Sequence, residues 1–189
     1  MIIFLAEIKD GKAYLNESET THCTKVLRKD LGDSIRMMDG KGSFYEGKII
    51  SFNKKETVVS IEMQEQIERR RPYNLHLAIS PTKQIDRIEW LIEKAVEIGV
   101  DEITLLRTKN TERTKVNLER LNSICLSAAK QSLKAFLPII NDIVPFEEFV
   151  KEVKCDVKAI SYCGNINKKS IKSIINKNLT TGYTVLVGP

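Results

Sequence analysis

Three polar side chains near the amino terminus, His22, Lys25 and Arg28, follow one another at intervals of three residues. On a helix, residues three apart are neighbours on the surface. A histidine and two cations placed in this way could bind a phosphate group, or they could form an ordinary exposed face of the helix. The sequence leaves both interpretations open.

A second group of polar side chains lies between residues 117 and 136, where the apolar spacing predicts a helix. The glutamine amide of this group could bind a nucleotide base while its lysines bind phosphates, or the whole group could be plain surface. Spacing alone does not separate these alternatives. The residues that fall together on one face are Ser127, Lys130, Gln131 and Lys134.

Carboxylates recur every four residues on a helix predicted over 84–99, at Glu89, Glu93 and Glu97. Paired carboxylates can perform acid–base catalysis. On an amphipathic helix that ends at a capping residue such as Gly99, this spacing more often marks a solvated stripe. We therefore interpret the three glutamates as surface.

The sequence has few residues that could bind a metal ion or form a disulfide framework. The histidines are His22 and His76, and no two cysteines form a C-x-x-C pair. A zinc cluster or a disulfide framework needs such spacing, so we predict no metal site. The cysteines are Cys23, Cys125, Cys155 and Cys163.

The 189 residues carry a net charge of +5, from 30 Lys and Arg against 25 Asp and Glu. Basic residues concentrate at 24–29, 68–71 and 107–115. Each run could be only a solvated face, but together they favour a polyanionic partner.

No apolar run approaches the roughly 18 residues that a membrane helix needs. The amino-terminal MIIFLAEIKDGK carries charges where a signal peptide would continue its apolar region. We therefore predict a cytoplasmic protein without a membrane partner.

Residues 1–70 carry the pattern of short β-strands, separated by turn signals such as Asp10-Gly11. Asn16 or Ser18 would cap an intervening helix whose Val26 and Leu27 face the strands. Five short strands with few long crossovers predict a small curved barrel or sandwich. The strands are expected over 2–7, 12–16, 34–39, 43–52 and 57–63.

Residues 71–189 alternate strands with helices, after a charged linker broken by Pro72. Their strands are apolar enough to be buried on both faces, which predicts a mainly parallel sheet covered by helices. In such sheets, ligands bind beyond the carboxyl ends of the strands. That rule selects the loops SPTK at 80–83, SYCGN at 161–165 and the end of VGP at 187–189.

Four ordered blocks resemble a known family. They are PTKQIDRIEWLIEKAVEIGV from residue 81, TERTK from residue 111, ERLNSICLSAAKQSLKAFLP from residue 119 and TVLVGP from residue 184. In this order they resemble the bacterial uridine-N3 methyltransferases of small-subunit ribosomal RNA, the RsmE family of the SPOUT superfamily. The amino-terminal HCTKVLRKDLGD and DGKGSFYEGKI resemble the PUA-like barrel that precedes the methyltransferase domain there.

The resemblance implies a PUA-like β-barrel RNA-binding domain at 1–70 and a SPOUT-type α/β methyltransferase domain at 71–189. It implies S-adenosyl-L-methionine as the cofactor and 16S ribosomal RNA, or the small ribosomal subunit, as the partner. In this family the strand ending in Gly-Pro continues into loops that complete a trefoil knot, bind the cofactor and supply dimer contacts. We therefore expect a carboxy-terminally truncated chain that is inactive by itself, and a homodimer at full length.

The resemblance also implies roles for individual residues. Arg113 would stabilise the anion that uridine N3 forms during methyl transfer, although it could also belong to an ordinary polar surface loop. Lys134 stands where many relatives have arginine, and it lacks the planar donor fork of that residue. The RNA-binding residues would be His22, Lys25, Arg28, Lys83, Gln131 and Lys134. The cofactor-binding residues would be Tyr162, Cys163, Gly164, Gly188 and Pro189.

Two other classes of function fit the same sequence. One is a non-catalytic RNA-binding module in which the barrel and the α/β domain bind a ribosomal helix. The other is an α/β domain for a different nucleotide, which the absence of G-x-G-x-x-G and G-x-x-x-x-G-K-[ST] motifs disfavours.

Overall fold

A computed structural model of the chain describes residues 2–69, 71–161, 169–174 and 182–188. The chain forms two compact units. The first contains Met1–Arg69 and Ala129–Leu137, and the second contains Arg70–Ala128 and Pro138–Pro189. The boundary at residue 70 falls where the predicted pattern changes from short strands to strands that alternate with helices. Residues 129–137, which follow this boundary in the sequence, nevertheless belong to the first unit. The domain limits of 1–70 and 71–189 stay a prediction.

The first unit is built on a curled six-stranded sheet. The strands are β1 (Ile3–Leu5), β2 (Glu7–Lys9), β3 (Lys12–Leu15), β4 (Ser34–Met38), β5 (Ser43–Phe52) and β6 (Thr57–Gln66). Their order is β1-β4-β5-β6-β3-β2, and all pairs are antiparallel except the parallel pair of β1 and β4. The buried core includes Phe4, Leu15, Met37, Ile49 and Val59.

The strand predicted over 2–7 is divided at Ala6 into β1 and β2. The first piece pairs with β4 at one end of the strand order, and the second pairs with β3 towards the other end. Ala6 lies between the two pieces and donates its N–H to the carbonyl of Met38 at 2.9 Å. The chain thus passes directly from one edge of the sheet to the other, which curls the sheet as the predicted barrel requires.

Helix α1 (Glu17–Thr21) begins at Asn16, whose side chain accepts a hydrogen bond from Glu19 N at 3.0 Å, as an N-cap does. A π-helical turn, His22–Val26, follows directly. Its wider winding changes which side chain points inward. Cys23 is fully buried, whereas Val26 is 65% exposed. The prediction that Val26 faces the strands is therefore wrong, while Leu27 does pack against the core.

The second unit contains a five-stranded, wholly parallel sheet, as predicted. Its strands are β7 (Asn74–Ile79), β8 (Glu102–Arg107), β9 (Ile139–Pro145), β10 (Val157–Ile160) and β11 (Gly182–Val187). Its helices are α2 (Ile85–Ile98), α3 (Leu118–Gln131), α4 (Phe146–Glu152) and α5 (Ile171–Ile174). Among the described parts of the chain, no helix is both long and apolar enough to cross a bilayer.

Two side chains of α2, Ile88 and Ile92, are almost completely buried. The helix ends at Gly99, which has a left-handed φ of 92° and donates its N–H to the carbonyls of Ala95 and Val96. This is the C-terminal cap that the sequence predicts.

The last strand of the chain lies inside the sheet, since the strand order is β10-β11-β7-β8-β9. β11 enters this position at Gly182, which pairs with Asn74 and has a φ of +127°. A Cβ atom on Gly182 would overlap the backbone of Asn74. Asp156 fixes the same point, because its carboxylate accepts a hydrogen bond from Gly182 N at 2.8 Å.

We predict that Gly182→Ala lowers the free energy of unfolding by about 3 kcal/mol or more, since backbone strain and overlap add. The matched control is Gly99→Ala, where φ is also positive but an added Cβ meets nothing within 4 Å. The control should lose about 1–2 kcal/mol, from left-handed strain alone. Urea unfolding of both variants measures the two losses, and equal losses would contradict the close approach of the strands.

Candidate functional site

The carboxyl ends of three neighbouring strands meet through backbone hydrogen bonds. Ser80, directly after β7, donates its N–H to the carbonyl of Val187 in β11 at 3.1 Å. Ser161, directly after β10, donates its N–H to the carbonyl of Leu186 at 3.0 Å. Parallel strands end at one edge of their sheet, so the loop after β8 starts from this edge too. It is the edge that the sequence selects for a ligand.

A cluster of hydroxyl groups fixes the loop after β8 to the end of β7. Ser80 is 2% exposed, and its Oγ lies 2.5 Å from Oγ1 of Thr111. The same Thr111 oxygen accepts a hydrogen bond from Thr108 N at 2.8 Å and lies 3.0 Å from the Thr108 hydroxyl. No role was predicted for these three side chains from the sequence, although Ser80 lies in the loop SPTK and Thr111 begins the block TERTK.

Arg113 lies in this loop, and its guanidinium is held at one end. Its Nη2 donates a hydrogen bond to the carbonyl of Lys83 at 2.7 Å. Its Nε is buried and has no hydrogen-bond partner among the described residues. A buried donor without an acceptor is costly to the folded state.

Lys83 contributes a backbone oxygen to this arrangement rather than its cation. The ammonium is 3.7 Å from the carboxylate of Glu112, but the two side chains are 84% and 66% exposed. Such an exposed pair adds little stability. Its cation is therefore available to a phosphate.

The predicted cofactor residues are described only in part. Tyr162, Cys163, Gly164 and Pro189 lie outside the described residues. Gly188 is exposed at the end of β11, and a Cβ added to it would meet no atom within 4 Å.

The predicted basic residues of the barrel, His22, Lys25 and Arg28, are all exposed. The His22 ring lies 5.7 Å from the ring of Phe4, in a tilted arrangement. Within the described ranges, neither Lys25 nor Arg28 forms an ion pair. Arg28 has a positive φ of 54°, directly after the π-helical turn. Because that turn changes the helical phase, regular three-residue spacing does not apply across these residues.

The prediction that one helical face carries Ser127, Lys130, Gln131 and Lys134 is wrong for Lys134. Helix α3 ends at Gln131, and the chain then turns at Leu133, which has a φ of 53°. Gln131 is exposed, whereas Lys134 lies past the helix and donates its backbone N–H to the carbonyl of Ala129 at 2.9 Å.

The segment Ala129–Leu137 has its own contacts within the first unit, and these explain why the helix ends early. Lys130 Nζ lies 2.5 Å from Oε1 of Glu19, whose residue is 7% exposed. Beyond the helix, Gly42 N–H donates to the carbonyl of Ala135 at 3.0 Å. Lys130 is therefore engaged in an ion pair and is not a free cation for a nucleotide.

The glutamates of α2 form ion pairs on the surface, as interpreted. Arg120 contacts both carboxylate oxygens of Glu89, at 2.5 and 2.7 Å, and this contact lowers the pKa of Glu89. Lys94 lies 2.8 Å from the carboxylates of Glu93 and Glu97. All three carboxylates are thus paired with cations on the helix surface.

Cys125 is also unsuited to catalysis, as a nucleophile. It is a free, buried thiol, and burial raises its pKa to about 11. A thiol with this pKa is almost entirely protonated near neutral pH and therefore poorly nucleophilic.

A cleft of about 400 Å³ lies near the beginnings of the parallel strands. Its buried polar centre is His76, whose Nε2 lies 2.7 Å from the hydroxyl of Thr104. Asn141 donates hydrogen bonds to Thr104 and to Glu102, at 2.8 and 2.7 Å. The ring of Phe149 packs edge-on against the imidazole. His76 is thus a structural residue of the sheet.

Comparison with known families decides between the classes of function that the sequence allows. A model described as an RNA methyltransferase domain matches residues 69–189, and one described as an RNA methyltransferase PUA domain matches residues 15–62. The chain belongs to the RNA methyltransferase family. The matched methyltransferase domain contains the parallel sheet and its carboxyl edge. The predicted fold class, a SPOUT-like α/β domain preceded by a PUA-like barrel, is confirmed.

Individual relatives agree with this family. Ribosomal RNA small subunit methyltransferase E of Rickettsia conorii is 27% identical over 187 residues, which make up 96% of this chain and 73% of that protein. A probable rRNA methyltransferase from Porphyromonas gingivalis has a crystal structure with a TM-score of 0.84 and 32% identity, covering 100% of this chain and 80% of that one.

Ribosomal RNA small subunit methyltransferase E from Neisseria gonorrhoeae, solved bound to S-adenosyl methionine, has a TM-score of 0.82. It is 23% identical and covers 100% of this chain and 79% of that one. The resemblance stated from the sequence is confirmed.

We predict that the methyltransferase domain loses stability as the pH falls below about 6.5, the ordinary pKa of histidine. Burial lowers the pKa of His76, so the unfolded chain binds more protons than the folded chain between the two pKa values. Stability is therefore full above this window and declines within it, by at most ~1.4 kcal/mol per pH unit.

His76→Gln should remove this part of the pH dependence, because glutamine does not titrate. Urea unfolding across the window measures the slope for each variant. The exposed His22 is the matched control, and His22→Gln should leave the slope in place. A slope unchanged by His76→Gln would contradict the assignment.

Proposed function

We propose that this protein methylates N3 of a uridine in 16S ribosomal RNA, with S-adenosyl-L-methionine as the methyl donor. Membership of the RNA methyltransferase family supports the reaction class, and the names of the relatives support ribosomal RNA of the small subunit. The observation that carries the proposal is the buried Nε of Arg113, a donor without a partner among the described residues, at the carboxyl edge of the parallel sheet.

Uridine N3 carries a proton and is a poor nucleophile until that proton leaves. Negative charge then develops on N3 and on the neighbouring carbonyl oxygens. A fixed cation at this position stabilises the charge without reorganising during the reaction. Arg113 is suited to this role because its Nη2 is already bonded to the carbonyl of Lys83 while its Nε is not.

The hydroxyl cluster helps to fix the loop that carries Arg113. Ser80, Thr108 and Thr111 tie the start of the loop to the end of β7. Fixed placement of a catalytic group relative to the reacting atoms can lower the barrier substantially. These hydroxyls are positioning groups in the proposal, and the general base has no assigned residue.

S-adenosyl-L-methionine, when bound, supplies the methyl group of its sulfonium. The carboxyl edge suits this group, since ligands of parallel sheets bind beyond the carboxyl ends of the strands, where Gly188 is exposed. We propose that Tyr162, Cys163, Gly164, Gly188 and Pro189 bind it. The S-adenosyl methionine bound in the Neisseria gonorrhoeae structure, which has the same fold, supports the choice of cofactor.

The RNA contacts proposed for both units rest on polar side chains that are exposed, apart from the half-buried Lys134. We assign His22, Lys25 and Arg28 of the PUA domain to RNA binding. From the methyltransferase resemblance we add Lys83, Gln131 and Lys134. A cytoplasmic location and a homodimer also remain part of the proposal.

We predict that Arg113→Lys lowers kcat by about 10²–10³-fold, the usual loss when one transition-state donor is removed. Lysine keeps the charge but lacks the Nε–H. Methyl transfer to small-subunit RNA is measured with the complete gene product. Methylation at N3 is identified by a stop in reverse transcription, because the methyl group occupies the base-pairing edge.

Lys115→Ala is the matched control, since Lys115 is an exposed cation two residues along the same loop. It should retain nearly full kcat, and both variants should bind S-adenosyl-L-methionine as the unaltered protein does. Normal kcat for Arg113→Lys would exclude Nε as the stabilising donor. Methylation at another atom of the base would exclude the N3 assignment.

We predict that the double variant Lys25→Ala, Arg28→Ala reduces the slope of log affinity against log salt by about 1.4 for single-stranded RNA, or about 0.7 per lost phosphate contact. The control removes two lysines of the same barrel that are already paired with carboxylates, Lys9 with Glu7 at 2.7 Å and Lys48 with Glu62 at 3.1 Å. Equal slopes for the two double variants would assign Lys25 and Arg28 to ordinary surface.

A further inference from the structure

A shallow cleft of about 410 Å³ lies within the first unit, between the α1 region and the hairpin of β5 and β6. Its size is within the range of small-ligand sites. None of its lining residues other than Lys25 was assigned a function by the sequence. The lining consists of Thr20, Thr21, Thr24, Lys25, Phe52, Asn53 and Lys54.

A β-bulge determines where Phe52 lies. The pairing of β5 with β6 shifts register between Ile49 and Ser51, so that Phe52 pairs with Thr57. Ile49 and Thr57 are both buried. Since side chains alternate along a strand, one extra residue moves Phe52 to the face that carries these buried residues. At the end of that face its ring is 41% exposed and lines the cleft.

The hairpin turn next to Phe52 is held in a defined conformation. The side-chain oxygen of Asn53 accepts hydrogen bonds from Lys55 N at 2.7 Å and Glu56 N at 3.1 Å. This Asx-type turn presents Lys54 beside the aromatic ring. The position of Lys54 is therefore set by the backbone.

The cleft carries the positive charges of two lysines, Lys25 and Lys54. Lys25 and Lys54 are exposed, and within the part of the chain that the structure describes neither forms an ion pair. Other lysines of the barrel do pair with carboxylates, as Lys48 does with Glu62 at 3.1 Å. Thr20 and Thr24 also line the cleft, and their hydroxyls donate to the backbone carbonyls of Leu15 and Thr20.

We propose that this cleft binds one unpaired nucleotide of RNA, with its base stacked on Phe52 and its flanking phosphates bound by Lys25 and Lys54. An exposed aromatic ring beside unpaired cations is the combination by which proteins bind single-stranded nucleic acid. Bases within a duplex are already stacked on one another, so the ring selects a single-stranded segment. The site rests on the RNA methyltransferase function proposed above and adds a second point of contact for the same RNA.

The test measures binding of a fluorescein-labelled single-stranded RNA of about ten nucleotides, a length that covers one such site. The probe has mixed sequence without self-complementarity, and the protein is the full chain at several salt concentrations. Phe52→Ala should bind about tenfold more weakly, the effect of losing one stacked base. Phe52→Tyr keeps the ring and should bind as the unaltered chain does.

Lys54→Ala should reduce the salt slope by about 0.7, as expected for one lost phosphate contact on a single strand. Lys55→Ala is the matched control, because it removes the same charge from the next residue of the turn without lining the cleft. Both lysines are exposed on a turn, so neither substitution disturbs the core. An unlabelled RNA duplex should compete poorly for the site that Phe52→Ala weakens.

Normal binding and salt slope in both Phe52→Ala and Lys54→Ala would overturn the nucleotide site while leaving the methyltransferase function in place. Equal effects of Lys54→Ala and Lys55→Ala would also overturn it, since they would indicate general charge attraction. An acidic peptide that competes as well as RNA would assign the cleft to a protein partner instead. Failure of the unaltered chain to bind any RNA would overturn the site together with the proposed function.

Discussion

The pairing of β11 between β7 and β10 is the constraint on which the methyltransferase domain depends. Without β11, β10 would have no neighbour in the sheet and β7 would become an edge strand. The pairing is possible because Gly182 allows the backbone of β11 to approach Asn74 with a positive φ. A single residue without a side chain therefore permits the arrangement that brings the carboxyl ends of β7, β10 and β11 together.

The same constraint explains how a polar loop can hold Arg113, the proposed catalytic residue, in place. The end of β7 is fixed by its backbone hydrogen bond to β11, and Ser80 at that point binds Thr111. The loop that carries Arg113 is thereby attached to the sheet, and Lys83 fixes the far end of the guanidinium. The buried Nε that remains is a donor whose burial is compensated when an acceptor binds.

Local sequence patterns predicted the features that depend on local chemistry. The alternation of buried strands with amphipathic helices predicted the parallel sheet, and Asn16 and Gly99 were correctly expected as helix caps. Features set by distant residues were missed. The end of α3 at Gln131 depends on contacts of the following segment with the barrel, and the Ser80–Thr111 contact joins residues from two loops. The π-helical turn that exposes Val26 has no recognisable sequence signal.

The most direct test of the central claim is the nuclear magnetic resonance signal of the Arg113 Nε–H, in the complete protein with isotope-labelled arginine. The signal is assigned by its absence in Arg113→Lys. A uridine-containing RNA substrate should shift it downfield as the donor gains an acceptor, while the same RNA with cytidine at the target position should shift it less. A signal unaffected by the uridine substrate at saturating concentration would contradict the account.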